Sequence, residues 1–264
     1  MDIGTAKPSA AERALVPHQL VDVVWPDESF DAARFATLAA QAIDDIARRA
    51  RVPLVVGGTG LYIRALTEGL VDLPRPDAAL REQLQQQARD AAQGEMHRRL
   101  AAVDQQAARQ LHPNDLVRIV RALEVFEQTG RPMSVFLHEH GFRNSRYRLL
   151  KIGLTRERDD LYRRIDTRAE TMFAAGLIEE TESLLAAGYS PQLKSMQTIG
   201  YREAVRLIRG ECTRQQALTD LQQATRRYAK RQFTWFRADP AIIWVDSRAD
   251  FDKIHMLIDR FHAA

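Results

Sequence analysis

The segment Pro53-Leu54-Val55-Val56-Gly57-Gly58-Thr59-Gly60-Leu61 constrains the fold of this chain more than any other. A short continuous apolar run that ends in a glycine turn and passes into a helical stretch at 61–70 reads as strand, turn, helix. Such a unit favours a parallel sheet buried between helices, with ligands beyond the carboxyl ends of the strands. A strand is predicted upstream at Leu20–Val24. Ser29 or Asp31 then caps a helix on which Phe35, Leu38, Ala42 and Ile46 recur at three-to-four spacing. Strand character returns at Tyr147–Leu154. Thr155 is the predicted cap of a helix running to about Ala174, and a further helix ends at Gly188. After a loop at Ser190–Ser195, Thr213 caps a long helix reaching Arg237. Asp239-Pro240 breaks it, and Ala241–Val245 reads as a last strand before a terminal helix.

Between 74 and 146 the composition changes. Gln and Arg dominate, β-branched residues are few, and helical stretches fall near 77–92, 95–110 and 114–129. The expected fold class is therefore α/β, a parallel-sheet core at 1–73 and 147–264 interrupted by an all-helical insertion at 74–146. A chain of 264 residues, 45% hydrophobic, buries one substantial core and a small second domain. No run approaches the ~20 apolar residues of a membrane span, and the first twenty residues lack the apolar centre of a secretory signal. No membrane partner and a cytoplasmic address are expected. Cys212 is the sole cysteine, which excludes internal disulfides and thiolate zinc clusters. The formal net charge is only +3, but arginine outweighs lysine, and planar guanidinium groups suit phosphate recognition.

Three constellations carry candidate chemistry. In Thr225–Arg237, Arg226, Lys230 and Arg237 share a helical face while Tyr228 and Trp235 sit seven apart. Cations for phosphates interleaved with rings for bases are what an RNA contact requires, although an amphipathic helix with core aromatics and solvated arginines shows the same spacing. In Leu161–Arg168, Arg164 and Arg168 lie one turn apart and can grip an anionic leaving group such as diphosphate. The alternative is a solvent-facing pair with Asp160. At Gly57–Gly60, the glycines permit close backbone approach and Thr59 offers a hydroxyl beside a helix N-terminus, but many strand-to-helix turns carry glycine for geometry alone. Arg118 and Arg121 form a further basic stripe after His112-Pro113-Asn114-Asp115, with a surface salt-bridge face as its alternative.

Six motifs occur in one order: M-D-I-G-T-A-K-P, V-V-G-G-T-G-L-Y, H-P-N-D-x-x-R-x-x-R-A-L-E, the Arg168 segment, T-I-G-Y-R-E and K-R-Q-F-T-W-F-R. In these the chain resembles the tRNA dimethylallyltransferases, also called tRNA isopentenyltransferases, over essentially its whole length. The resemblance implies transfer of a dimethylallyl group from dimethylallyl diphosphate to N6 of the adenosine next to the anticodon, with release of diphosphate. It implies a P-loop NTPase-like core, Mg²⁺ as cofactor, a tRNA anticodon stem-loop and dimethylallyl diphosphate as partners, and a monomer. Arg168, with Arg164, would hold the diphosphate. Thr59 and Arg81 would contact the tRNA, and Arg118 and Arg121 would belong to the insertion that clasps the stem-loop. Gln197, Thr198, Gly200, Tyr201 and Arg202 would line the core side of the RNA channel together with Lys230, Arg231, Gln232, Thr234, Trp235 and Arg237. The target base must be unstacked before N6 can react.

The family's P-loop, G-x-T-x-x-G-K-T, and its base aspartate, in D-S-x-Q-x-Y, have no counterpart in this sequence. Both are expected in roughly fifty residues before Met1, about a strand, a loop, a helix and a second strand. The metal ligand is expected there too. On this reading the N-terminal strand and P-loop are missing and the chain alone is unstable or inactive. Gln19 and Gln197 depart from the family pattern without carrying the chemistry. The rival readings are an adenylate isopentenyltransferase, a phosphoryl-transfer kinase, and a non-catalytic RNA-binding remnant that keeps the basic clamp. The role of Lys7 stays open between phosphate contact and anchoring of its turn.

Overall fold

A computed structural model describes residues 1–142, 146–248 and 250–263. Its helices and strands follow the chain as α1 (Ala10–Leu15), α2 (Ala32–Arg48), α3 (Gly60–Glu68), α4 (Ala78–Asp90), α5 (Glu95–Val103), α6 (Gln105–Gln110), α7 (Leu116–Thr129), α8 (Met133–His140), β1 (Lys151–Thr155), α9 (Arg158–Ala174), α10 (Leu177–Ala186), α11 (Tyr201–Ile208), α12 (Arg214–Phe236), β2 (Ile242–Asp246) and α13 (Phe251–Ala263). The chain divides into two compact units, one made of 1–66 and 147–264 and the other of 67–146. Architecture is mixed α/β and rich in helix. None of the described helices is long and apolar enough to cross a membrane.

In the first unit β1 and β2 pair in parallel, in register from Lys151 opposite Ile242 to Thr155 opposite Asp246. An ion pair from Lys151 Nζ to Asp239 Oδ2, 2.7 Å long, fastens the start of that ladder. The helical core of this unit gathers Ala169 and Phe173 of α9, Leu177 and Ile178 of α10, Tyr201 and Ala204 of α11, and Ala217 and Leu221 of α12. Cys212 is half-buried against that cluster and behaves as a small apolar side chain.

Two predicted strands do not form. Leu20 and Asp22 hold φ of 62° and 57°, left-handed values that no strand accommodates. The run at 54–56 is irregular, with Leu54 72% and Val56 91% exposed. A parallel strand exists only where a neighbour completes its ladder, and among the described residues none pairs with this run.

In the second unit α4, α5, α6 and α7 pack around Leu84, Met96, Leu100, Ala107, Ile119 and Leu123. The helix predicted across 95–110 is two helices, because Asp104 leaves helical geometry at φ −145°, ψ 78°. Its buried carboxylate caps α6 through the Ala107 N–H at 2.9 Å and takes the Ser134 N–H at 2.9 Å, tying down the start of α8. Asp77 and Asp115 cap α4 and α7. In the first unit, Asp31 caps α2, and Glu157 rather than Thr155 caps α9 by accepting the Asp159 and Asp160 N–H groups.

Candidate nucleic-acid and diphosphate site

The glycine turn is a packing surface for α12. A Cβ on Gly60 would stand 2.1 Å from Trp235 Nε1, and one on Gly58 would stand 2.0 Å from Gln232 Nε2. Only hydrogen at those positions lets the helix approach so closely. Gln232 donates to the Gly58 carbonyl at 3.0 Å. Thr59 stays exposed at the start of α3, where its carbonyl accepts the Tyr62 and Ile63 N–H groups. Glycine thus serves close helix packing here and leaves the Thr59 hydroxyl beside a helix N-terminus.

Along α12 the interleaving of cations and rings resolves into two faces. Arg226 turns inward: its guanidinium grips Asp166 of α9 at 2.5 Å and lies over the Tyr162 ring at 5.5 Å, so it belongs to the helix packing. Phe233 stacks on Trp244 of β2 with ring centres 5.9 Å apart. Lys230, Arg231, Thr234, Trp235 and Arg237 are exposed. Arg231 lies 5.6 Å over Tyr228 and Arg237 lies 5.1 Å over Phe233, which stiffens both cations. Trp235 offers a half-exposed ring among them.

On α9 the sequence left two partners open for Arg164 and Arg168. Asp160 is taken by Arg156 at 2.7 Å, with Arg163 at 3.4 Å and Arg248 at 3.8 Å. Arg164 and Arg168 are exposed one turn apart, and among the described residues neither has a carboxylate in ion-pair range. Two exposed guanidinium groups on one helical face have N–H donors available to an anion as well as to solvent.

Around the start of α11, Gln197 and Thr198 are exposed, with Gln197 donating to the Pro191 carbonyl at 2.7 Å and Thr198 to the Ser195 carbonyl at 2.6 Å. Gly200 and Tyr201, which the resemblance places in the RNA channel, are buried, so the Tyr201 side chain cannot touch RNA. Its hydroxyl instead donates to Glu180 at 2.8 Å, and burial together with that carboxylate pushes its ionisation upward. Glu180 also collects the backbone N–H groups of Asp2, Ile3 and Gly4. The loop at 1–7 is in this way fastened to α10 and, through the shared Glu180 carboxylate, to Tyr201 of α11. Lys7 pairs with Asp2 and Asp22, which raise its pKa in that order, so in this structure it anchors its turn. Arg202 reaches the surface from Glu203, whose buried carboxylate accepts its guanidinium at 2.5 Å and the Gly200 N–H at 2.8 Å.

In the second unit, Arg118 is exposed and paired with Asp115, Nε to Oδ2 at 2.6 Å. Arg81 and Arg121 are organised differently, since both donate to one buried carboxylate, Glu124, at 2.6 and 2.7 Å.

The IPP transferase family model matches residues 1–239. The chain belongs to the IPP transferase family. It is 53% identical over 263 residues to tRNA dimethylallyltransferase 2 of Geotalea uraniireducens, a match that covers 100% of this chain and 85% of that protein. With the tRNA dimethylallyltransferase of Geobacter metallireducens it shares 53% identity over 262 residues, 99% of this chain and 85% of the relative. The full-length tRNA isopentenylpyrophosphate transferase of Bacillus halodurans superposes with a TM-score of 0.69 at 40% identity, over 100% of this chain and 82% of that one. A eukaryotic dimethylallyltransferase captured acting on tRNA gives 0.73 at 25% identity, over 97% and 67%.

The IPP transferase chain also carries organising carboxylates that its sequence pattern did not single out. Glu124, Glu180, Glu203 and Asp166 all organise cations or loops beneath the candidate contacts. Glu124 closes the R-A-L-E motif and Glu203 closes G-Y-R-E, so a carboxylate following an arginine inside a motif was the available signal. For the expected Mg²⁺, no group of three or more His, Cys, Asp or Glu side chains converges among the described residues. These residues do not form a cage for the ion. Mg²⁺ commonly binds through substrate phosphates and water with one or two carboxylates.

Proposed function

We propose that this protein transfers a dimethylallyl group from dimethylallyl diphosphate to N6 of the adenosine adjacent to the anticodon of tRNA. A bond forms between N6 and C1 of the allyl group, the C1–O bond breaks, its electron pair leaves on diphosphate, and the N6 proton passes to a base, the role that the resemblance gives to an aspartate with no counterpart in this sequence. Negative charge therefore grows on the leaving group, where fixed cations help most. Arg168 and Arg164 supply them from α9. Lys230, Arg231, Thr234, Trp235 and Arg237 on α12, with Gln232 behind them, take the RNA backbone and an unstacked base. Thr59, Gln197, Thr198 and Arg202 extend that surface, while Gly200 and Tyr201 support it from below. In the second unit Arg81, Arg118 and Arg121 clasp the stem-loop. On this reading the first unit is a P-loop NTPase-like core and residues 74–146 are a helical insertion.

The observation that carries the proposal is identity above one half, across the whole chain, to enzymes named for this reaction. The exposed Arg164 and Arg168 pair supplies what the chemistry asks of the leaving-group side. Diphosphate release tests it. Incubation of dimethylallyl diphosphate and an anticodon stem-loop with the chain joined to the part of the Geotalea relative that it does not match is expected to free one diphosphate per adenosine modified, with ATP untouched. Consumption of ATP instead would point to phosphoryl transfer. Preference for free AMP over the stem-loop would point to an adenylate isopentenyltransferase.

A further inference from the structure

Glu124 stands on α7 with its side chain fully buried, yet it is surrounded by positive charge. Its Oε1 accepts the Asp77 N–H at 3.0 Å, at the cap of α4. Its Oε2 accepts Arg81 Nη2 at 2.6 Å and Arg121 Nη1 at 2.7 Å. The second terminal nitrogen of Arg121 donates to the Pro74 carbonyl at 2.8 Å. Burial pushes the carboxyl pKa up, but hydrogen bonds from Arg121 and then Arg81 outweigh it and hold the pKa below the ordinary value, so Glu124 is ionised at neutral pH.

A guanidinium carries five N–H donors in a fixed plane, and the bonds given above occupy one on Arg81 and two on Arg121. Both side chains remain partly open to solvent, 34% and 24% exposed. Because both donate to the same oxygen, their two bound nitrogens cannot be far apart. A long cation normally loses rotamer freedom when it takes a phosphate; here that ordering is already in place before the ligand arrives.

We propose that Glu124 is a positioning residue for RNA, locking Arg81 and Arg121 side by side so that their remaining N–H groups take backbone phosphate of the stem-loop. This rests on the reading that Arg81 and Arg121 contact RNA. The sign of one substitution separates positioning from mere charge balance. Glu124→Gln makes the protein more positive by one charge, which by electrostatics alone tightens RNA binding. If Glu124 positions the forks, the same change loosens it.

The test is binding of a labelled anticodon stem-loop to the full chain across a salt series. Glu124→Gln is expected to weaken binding about fivefold or more and to lower the slope of log affinity against log salt by up to about one. Glu124→Asp, which keeps the charge but shortens the reach by one methylene, is expected to weaken it by a smaller factor. Equal or tighter binding by Glu124→Gln, with Arg81→Ala and Arg121→Ala both weakened, overturns the proposal and leaves Glu124 a counter-charge. Unchanged binding by both arginine variants overturns the underlying RNA reading itself. If circular dichroism shows that the Gln variant has lost its helices, the Asp variant decides: affinity equal to the parent refutes positioning.

Discussion

Gly60→Ala tests whether the α12 surface is set by the glycine turn. The added Cβ would lie 2.1 Å from Trp235 Nε1, 2.2 Å from Cδ1 and 2.6 Å from Cε2. An indole cannot bend away at one atom, so the whole ring must rotate. Trp235 is 46% exposed and has solvent to move into, so the fold survives. Overpacking of this kind costs about 1–3 kcal/mol. The larger consequence is for RNA. A base stacked on an aromatic ring contributes about 1–3 kcal/mol, so displacing the ring weakens stem-loop affinity by about 5- to 150-fold. No charge changes, so the salt slope stays that of the parent. Affinity measured by anisotropy at several salt concentrations, for Gly60→Ala, Trp235→Ala and the double variant, checks this. Since both act through one ring, the double variant should be no weaker than the Trp235 variant by more than about 0.5 kcal/mol. Full additivity, or parental affinity in Gly60→Ala, would refute the reasoning.

Arg168→Ala should slow transfer by about 100- to 1000-fold, as loss of a charge-stabilising donor does, while stem-loop affinity is kept; a parental rate in single-turnover assays would remove Arg168 from the leaving-group site. Arg118→Ala should flatten the salt slope of RNA binding by at most about one, and an unchanged slope would return Arg118 to its surface pair with Asp115. Lys151 holds the Asp239 carboxyl below its ordinary pKa, with the Ala241 N–H assisting. A carboxyl depressed in the folded state contributes stability above its unfolded pKa of about 3.9 and loses it as pH falls through the folded value. Asp239→Asn should therefore lower Tm at neutral pH, with the gap to the parent closing below about pH 4. A gap that persists unchanged in acid would show that the loss is not electrostatic.

Local order was legible where local residues decide it. The three-to-four spacing of Phe35, Leu38, Ala42 and Ile46 and the Asp31 cap announced α2, and Thr213 announced α12. The strands at 151–155 and 242–246 were legible within a residue or a few because each pairs with the other. Leu20–Val24 and Leu54–Val56 show why apolarity alone is insufficient: a strand is a property of a pair, and these runs have no partner among the described residues. The split at Asp104 was hidden because periodicity runs across it, and only the approach of Ser134 explains the buried carboxylate. Among the site residues, spacing put Arg226 on the cationic face of α12, but the approach of Asp166 from α9 pulls it inward. The same spacing left open a pairing of Arg164 and Arg168 with Asp160, and that carboxylate is engaged by Arg156 instead. Burial of Tyr201 likewise depends on a carboxylate twenty-one positions away, which no motif records.

The most direct measurement is transfer of label from dimethylallyl diphosphate to an anticodon stem-loop, followed by nuclease digestion to locate the label. It is best made with the chain itself and with a chimera joining it to the part of the Geotalea relative that it does not match. The account predicts label on N6 of the adenosine next to the anticodon with the chimera, lost on Arg168→Ala. RNA binding with no labelled adenosine from either protein would contradict it and leave an RNA-binding fold without this chemistry.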